Sequence, residues 1–142
     1  MSLANLLKTG QLKEHRADPE EIGRLMAAAE RSLADARVDA ISAETRFDAA
    51  YRAITQIGLA ALMQQGYRPD TNRPGHHMTI IQTLTLTLGI EKERIIVLDT
   101  LRRKRNLADY TGDDIDDASV AVCIKEAERL LRDAQGGLEK GR

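Results

Sequence analysis

The chain has 142 residues, of which 42% are hydrophobic, 30% charged and 3% aromatic, and its formal net charge is −1. This length fits one domain that folds without disulfides or metals, and the near-neutral charge excludes a protein that attracts polyanions over its whole surface. The single cysteine, Cys123, excludes an internal disulfide and offers no metal-ligand spacing.

The sequence also predicts the cellular location of the protein. It contains no apolar run of about 18 residues, the length needed to span a membrane. Its first ten residues lack the basic and apolar regions of a signal peptide. We therefore expect a soluble single domain over residues 1–142, located in the cytoplasm, with no membrane partner and no cofactor.

The N-terminal half predicts two long helices. Residues 1–17 are expected to form a short helix or an arm. Asp18, followed by a proline, is typical of a helix start, and apolar residues then recur at steps of three and four as far as Ala36. Ser42 has the character of the next N-cap, and a second apolar stripe follows it up to Gly66, which suits a helix C-terminus. The short link predicts antiparallel neighbours.

The C-terminal half predicts further helices. Residues 67–75 are rich in residues that break helices and strands, which predicts a loop. Residues 76–88 fit both a strand and a helix, and we expect a helix because no other segment offers a strand to pair with. Helices are also expected over residues 91–109 and from an aspartate-rich turn at 113–117 to a glycine pair, with a flexible tail over 136–142. The fold class is therefore an all-α, up-and-down bundle of four or five helices.

Consecutive basic residues at positions 102–105 give the strongest functional signal. Helical spacing divides the candidate residues between two adjacent faces, one with Arg102, Arg105 and Asp109 and the other with Arg103, Asn106 and Tyr110. Burying an arginine is costly unless it meets a carboxylate or another anion. Asp109, four residues from Arg105, is the local partner for a structural ion pair. The alternative is a phosphate site, because a guanidinium matches phosphate oxygens and Asn106 offers a further hydrogen bond.

Residues 105–110, Arg-Asn-Leu-Ala-Asp-Tyr, resemble the motif of the HEPN family (higher eukaryotes and prokaryotes nucleotide-binding). In that motif an Arg and a polar residue, usually Asn, are followed within a few positions by His. Residues 42–51 resemble a packing helix of these domains, and Gly75-His76-His77 resembles the entry into their third helix. The resemblance spans residues 12–131. It implies a helical bundle that often dimerises, so that two motifs face each other across a cleft.

For catalytic members, the resemblance implies RNA cleavage without metal, in which the Arg holds the phosphate, the polar residue orients the Arg and the His transfers a proton. Arg105 and Asn106 match the first two positions, and Tyr110 stands in place of the His. An ordinary tyrosine has a pKa of about 10, against about 6.5 for histidine, so Tyr110 is a poor base at neutral pH. For His76 and His77 we expect supporting roles rather than catalysis, with one of them capping or packing at the start of its helix and the other solvated.

Three functions follow from these observations. The favoured one is a HEPN-like module that binds nucleotide or RNA phosphates through Arg102, Arg103 and Arg105. We expect it to be non-catalytic or catalytically degenerate, linked to toxin–antitoxin or defence systems, and able to pair with a nucleotidyltransferase-type protein. The first alternative is a metal-independent endoribonuclease whose dimeric site contains Arg105, Asn106 and Tyr110. The second is a structural helical dimer, with the arginines held in salt bridges to the acidic residues that follow them. A homodimer is the expected assembly.

Overall fold

A computed structural model, which describes residues 1–140, shows an all-α bundle built around one long central helix. In chain order its elements are α1 (Leu3–Lys8), β1 (Leu12–Glu14), α2 (Pro19–Ala36), α3 (Ala43–Gln64), β2 (Tyr67–Pro69), α4 (His76–Gln82), α5 (Leu84–Thr87), α6 (Lys92–Thr111) and α7 (Asp117–Lys140). The central helix α3 packs mainly against α2 and α7, and α4 and α5 join it to α6. The predicted all-α helical bundle is confirmed.

The two long N-terminal helices begin where their capping residues predict. The Asp18 side chain accepts a hydrogen bond from the backbone N–H of Glu20, and the Ser42 side chain accepts one from Thr45. Each bond satisfies a backbone donor that the first turn leaves unpaired. Gly66 follows the end of α3 with a φ of +91°, a conformation that a residue without Cβ adopts at little cost. The predicted helix starts and the predicted terminating glycine are therefore confirmed.

The core is formed by aliphatic side chains around α3. Phe47, Tyr51, Ile54 and Ile57 are each at most 2% exposed, which confirms the predicted stripe of this helix. On α7 the buried apolar residues are Val120, Cys123, Ala127, Leu130 and Ala134. Helical periodicity predicts an inward stripe of Val120, Ile124, Ala127, Leu131 and Ala134 for this helix. That prediction was partly wrong, because Ile124 and Leu131 are only half-buried and the inward face takes Cys123 and Leu130 instead.

A short antiparallel pairing of β1 with β2 departs from the prediction. Leu12 lies opposite Pro69, and Glu14 lies opposite Tyr67. The expectation that the chain offers no strand pair was wrong, and part of the predicted loop at 67–75 is extended. The pairing joins the segment before α2 to the segment after α3. Because these segments are distant in sequence, local periodicity carries no signal for it.

The segment at 76–88 is helical as predicted, but it divides at Thr83. The hydroxyl of Thr83 donates to the backbone carbonyls of Thr79 and Ile80. A threonine that bonds back to the preceding turn competes with the helical ladder and bends the helix. A glycine directly after this segment predicts a helix end, and Gly89, with a φ of +67°, does follow the end of α5.

The last helix continues further than predicted. It runs through Gly136 and Gly137 to Lys140, so the expectation that the glycine pair ends it was wrong. A Cβ at position 137 would lie 3.2 Å from the side chain of Leu88, so the glycine permits close packing near the C-terminal end of α7. The rest of the predicted tail, residues 141 and 142, lies outside the described residues. No helix in the described part of the chain is both long and apolar enough to cross a membrane.

Candidate functional site

The basic run of α6, defined as residues 102–105, is largely paired with carboxylates. The pairs are Arg102 Nε to Asp99 at 2.8 Å, Arg103 Nε to Asp99 at 3.0 Å, Lys104 Nζ to Asp116 at 2.9 Å and Arg105 Nε to Asp48 at 3.4 Å. Two arginines share Asp99 because it lies one turn earlier on the same helix face. Asp116 belongs to the acidic turn at residues 113–117. Its pair with Lys104 partly neutralises the basic run, as the structural-dimer alternative predicts. The four cations share three carboxylates, so one positive charge remains in excess.

Arg105 pairs across the bundle rather than along its own helix. Its partner is Asp48 on α3, and the prediction that Asp109 would hold it was wrong. Asp109 is exposed. An exposed pair at helical spacing gains little energy from fixing two side chains. The contact across the bundle also places the guanidinium against an aromatic ring of the core.

That ring is Tyr51, and Cζ of Arg105 lies 5.1 Å from its centroid, within the range of a cation–π contact. Tyr51 is only 2% exposed, and burial raises its pKa to about 12, although Arg105 and Arg102 act in the opposite direction. Neither the Tyr51 hydroxyl nor Nε of Arg105 forms a hydrogen bond within the described residues. A buried donor without an acceptor is costly, so an acceptor brought by a ligand would be favoured here.

His77, at the start of α4, completes the cluster. Its ring centroid lies 5.9 Å from that of Tyr51, and the ring of His76 meets it edge-on at 4.7 Å. The packing role predicted for one histidine is therefore observed for His77. Burial, followed by the charges of His76, Arg105 and Arg102, lowers the pKa of His77 from its usual 6.5. Every charge that shifts this pKa belongs to a basic residue, so the surroundings of His77 favour an anion.

The other two motif residues lie elsewhere on α6. Asn106 is exposed, and Tyr110 is 92% exposed. Within one chain the structure therefore brings Arg105 to Tyr51 and His77, and not to the residues beside it in the motif. Sequence reasoning assigned Tyr51 to the core and gave His77 only a supporting role. Only the packing of α3, α4 and α6 joins the three side chains, and no single segment carries that signal.

Within the part of the chain that the structure describes, no group of three or more His, Cys, Asp or Glu side chains is arranged to hold a metal ion.

Comparisons with protein-family models and with curated proteins find no match for this chain.

Proposed function

We propose that the chain is a HEPN-like module that binds the phosphate groups of a nucleotide or of RNA, with Arg105 as the principal contact. The observation that carries the proposal is the position of the Arg105 guanidinium, whose Cζ lies 5.1 Å from the centroid of the Tyr51 ring while its Nε forms no hydrogen bond within the described residues. A phosphate placed there meets positive charge in a partly desolvated position, where electrostatic attraction is stronger than in water. The motif at residues 105–110 supports the same reading.

Arg105 can release Asp48 and bind a phosphate group in its place. Its side chain is 30% exposed, and its contact with Asp48 at 3.4 Å includes no hydrogen bond from Nε. The planar fork of a guanidinium forms two parallel hydrogen bonds with phosphate oxygens. Asp48 is 44% exposed, so it moves into solvent at little cost when a phosphate arrives. Arg102 is held by Asp99 at 2.8 Å and acts through its charge rather than through contact.

The test is a binding titration with fluorescently labelled single-stranded RNA, followed by competition with nucleotides and inorganic phosphate. We expect affinity to fall steeply with salt, because phosphate contacts release counterions. Arg105→Ala should weaken binding by roughly tenfold or more, as loss of a charge-assisted hydrogen-bond pair does. Arg31 is an exposed arginine on α2, and Arg31→Ala is therefore the matched control. If the two variants bind alike, the phosphate site is not at Arg105.

A second candidate function is metal-independent RNA cleavage, favoured by the position of His77. The motif lacks a histidine at Tyr110, but His77 supplies an imidazole to the same cluster from another helix. The neutral imidazole would accept the proton of a ribose 2′-hydroxyl while that oxygen attacks phosphorus. The bond to the 5′-oxygen then breaks, giving a 2′,3′-cyclic phosphate and, after protonation by water, a 5′-hydroxyl. Arg105 would stabilise the charge on the phosphate.

Cleavage is tested by incubating cellular RNA and tRNA with the protein in the presence and absence of EDTA. Products are resolved on a denaturing gel beside those of Arg105→Ala and His77→Gln. Cleavage that survives EDTA and is lost in both variants supports the nuclease. Intact RNA in every lane excludes it and leaves the binding function to be judged by the titration above.

The proposal includes a homodimer and, from the resemblance, a nucleotidyltransferase-type partner and a role in toxin–antitoxin or defence systems. On one side of α6, where Arg103 pairs with Asp99, three exposed apolar residues support the dimer, since Ile96 is 66%, Leu107 57% and Tyr110 92% exposed. These residues recur at near-whole turns of the helix, as expected for a helix-packing face. Leu107→Glu should give a monomer in sedimentation experiments, whereas Val38→Glu, at an exposed apolar residue elsewhere, should not. A monomeric wild type contradicts the dimer.

A further inference from the structure

A cleft of about 300 Å³ opens next to the phosphate site. Leu59 and Met63 of α3 and Ile80 of α4 contribute apolar wall, while Gln56, Arg68 and His77 supply polar groups. His77 belongs to both places, because the imidazole that lines the cleft also packs on Tyr51. Ligand pockets are typically of this kind, with apolar walls and a few polar groups that fix orientation.

We propose that this cleft receives the nucleobase of the nucleotide whose phosphate lies at Arg105. The inference rests on the proposed function and adds to it the part of the ligand that phosphate recognition leaves unspecified. The Tyr51 ring links the two ends, since its centroid lies 5.9 Å from the His77 ring and 5.1 Å from Cζ of Arg105. Because both groups pack on the same ring, one nucleotide can extend from the imidazole to the guanidinium.

The polar groups at the cleft suit the edge and face of a base. Gln56 accepts a hydrogen bond from Ser32 at 3.1 Å through its side-chain oxygen, which leaves its amide nitrogen as a donor. Arg68 is half-buried on β2, and within the described residues it forms no ion pair with a carboxylate. A guanidinium plane and an imidazole are both surfaces on which bases stack. Burial lowers the pKa of His77 and so favours the neutral ring, which suits stacking inside an apolar cleft.

The experiment compares two labelled single-stranded RNAs that carry the same phosphates, one with all its bases and one with abasic ribose at its central positions. If the cleft holds a base, the wild-type protein should bind the complete RNA about tenfold or more tightly, the usual effect of one stacked base. Thr55 of α3 also lines the cleft. Thr55→Trp fills the cleft and should remove this advantage while leaving the affinity for the abasic RNA unchanged.

The outcomes separate this inference from the function on which it rests. If the wild-type protein binds the two RNAs equally well and Arg105→Ala binds neither, the phosphate site is supported and the base cleft is overturned. No binding of either RNA, nucleotide or phosphate would overturn both. Competition by a free mononucleotide, but not by ribose 5-phosphate, would support the cleft and identify a free nucleotide as a sufficient ligand. If the complete oligonucleotide binds more tightly than the abasic one but a free mononucleotide does not compete, the cleft receives a base of an RNA strand.

Discussion

The guanidinium of Arg105 lies over the ring of Tyr51, with Cζ 5.1 Å from the ring centroid, and this contact joins the basic run of α6 to the core. Tyr51 is among the largest fully buried side chains of the protein. Core packing therefore fixes the surface against which the arginine rests. A cation held in this way loses less conformational freedom when it binds an anion than a freely moving one does.

In the proposed function Asp48 competes with phosphate for Arg105, so Asp48→Asn is expected to strengthen binding of RNA and of inorganic phosphate. A partly exposed ion pair contributes up to about 1 kcal/mol, which corresponds to a gain in affinity of up to about fivefold. The measurement is the anisotropy titration at fixed salt. Asp39→Asn makes the same charge change at a carboxylate that is 94% exposed and pairs with Arg46. Equal gains in the two variants would reflect net charge rather than release of Arg105.

The Tyr51 hydroxyl has no hydrogen-bond partner within the described residues, so its removal should cost little. Tyr51→Phe keeps the ring beneath Arg105, and we expect the free energy of unfolding to change by no more than about 1 kcal/mol, toward greater stability. Tyr51→Ala removes the buried ring and should lose about 3–5 kcal/mol. Urea denaturation measures both. A large loss in the phenylalanine variant would reveal a hydrogen bond to the hydroxyl.

The lowered pKa of His77 predicts a specific response to acid. Because the fold disfavours the protonated imidazole, the unfolded chain binds this proton at a higher pH than the native protein does. The stability that His77 contributes is fully present above its unfolded pKa of about 6.5 and declines as the pH falls through the native pKa. His77→Gln should therefore lose less stability than the wild type between neutral and mildly acidic pH.

An NMR titration of the His77 imidazole provides the second readout of the same group. Phosphate bound beside the ring should raise its pKa, because an anion favours the charged form. Arg105→Ala should abolish this phosphate-dependent rise while leaving the ring in place. An unchanged pKa at saturating phosphate would place the bound anion away from His77.

The position of α4, and with it His77, depends on close packing at Gly58. A Cβ at this position would lie 2.5 Å from Cγ2 of Ile80, too close for unstrained packing. We expect Gly58→Ala to lose about 1–3 kcal/mol by overpacking, despite the better helix propensity of alanine. Gly23→Ala on α2 is the matched control, because its Cβ would meet no atom within 4 Å apart from the backbone of its own helix and its chain neighbours. It should gain up to about 1 kcal/mol in thermal or urea unfolding.

Local sequence determined most of the helical framework. Asp18 and Ser42 mark helix starts because an N-cap bonds a backbone donor only two or three residues away. Gly66 marks an end because one residue must adopt a positive φ there. The apolar stripe of α3 follows from helical periodicity. These features depend on neighbours within about one or two turns of helix, so they can be derived from the chain without knowledge of its packing.

Tertiary structure decided the composition of the candidate site. The sequence offered Asp109 as the partner of Arg105, but α3 brings Asp48 and Tyr51 to it instead. His77 comes from a helix whose nature the sequence left ambiguous, and it reaches the cluster only because α4 packs against both α3 and α6. Contacts between remote segments depend on how whole helices fit together, and residue spacing within any one helix does not encode that fit.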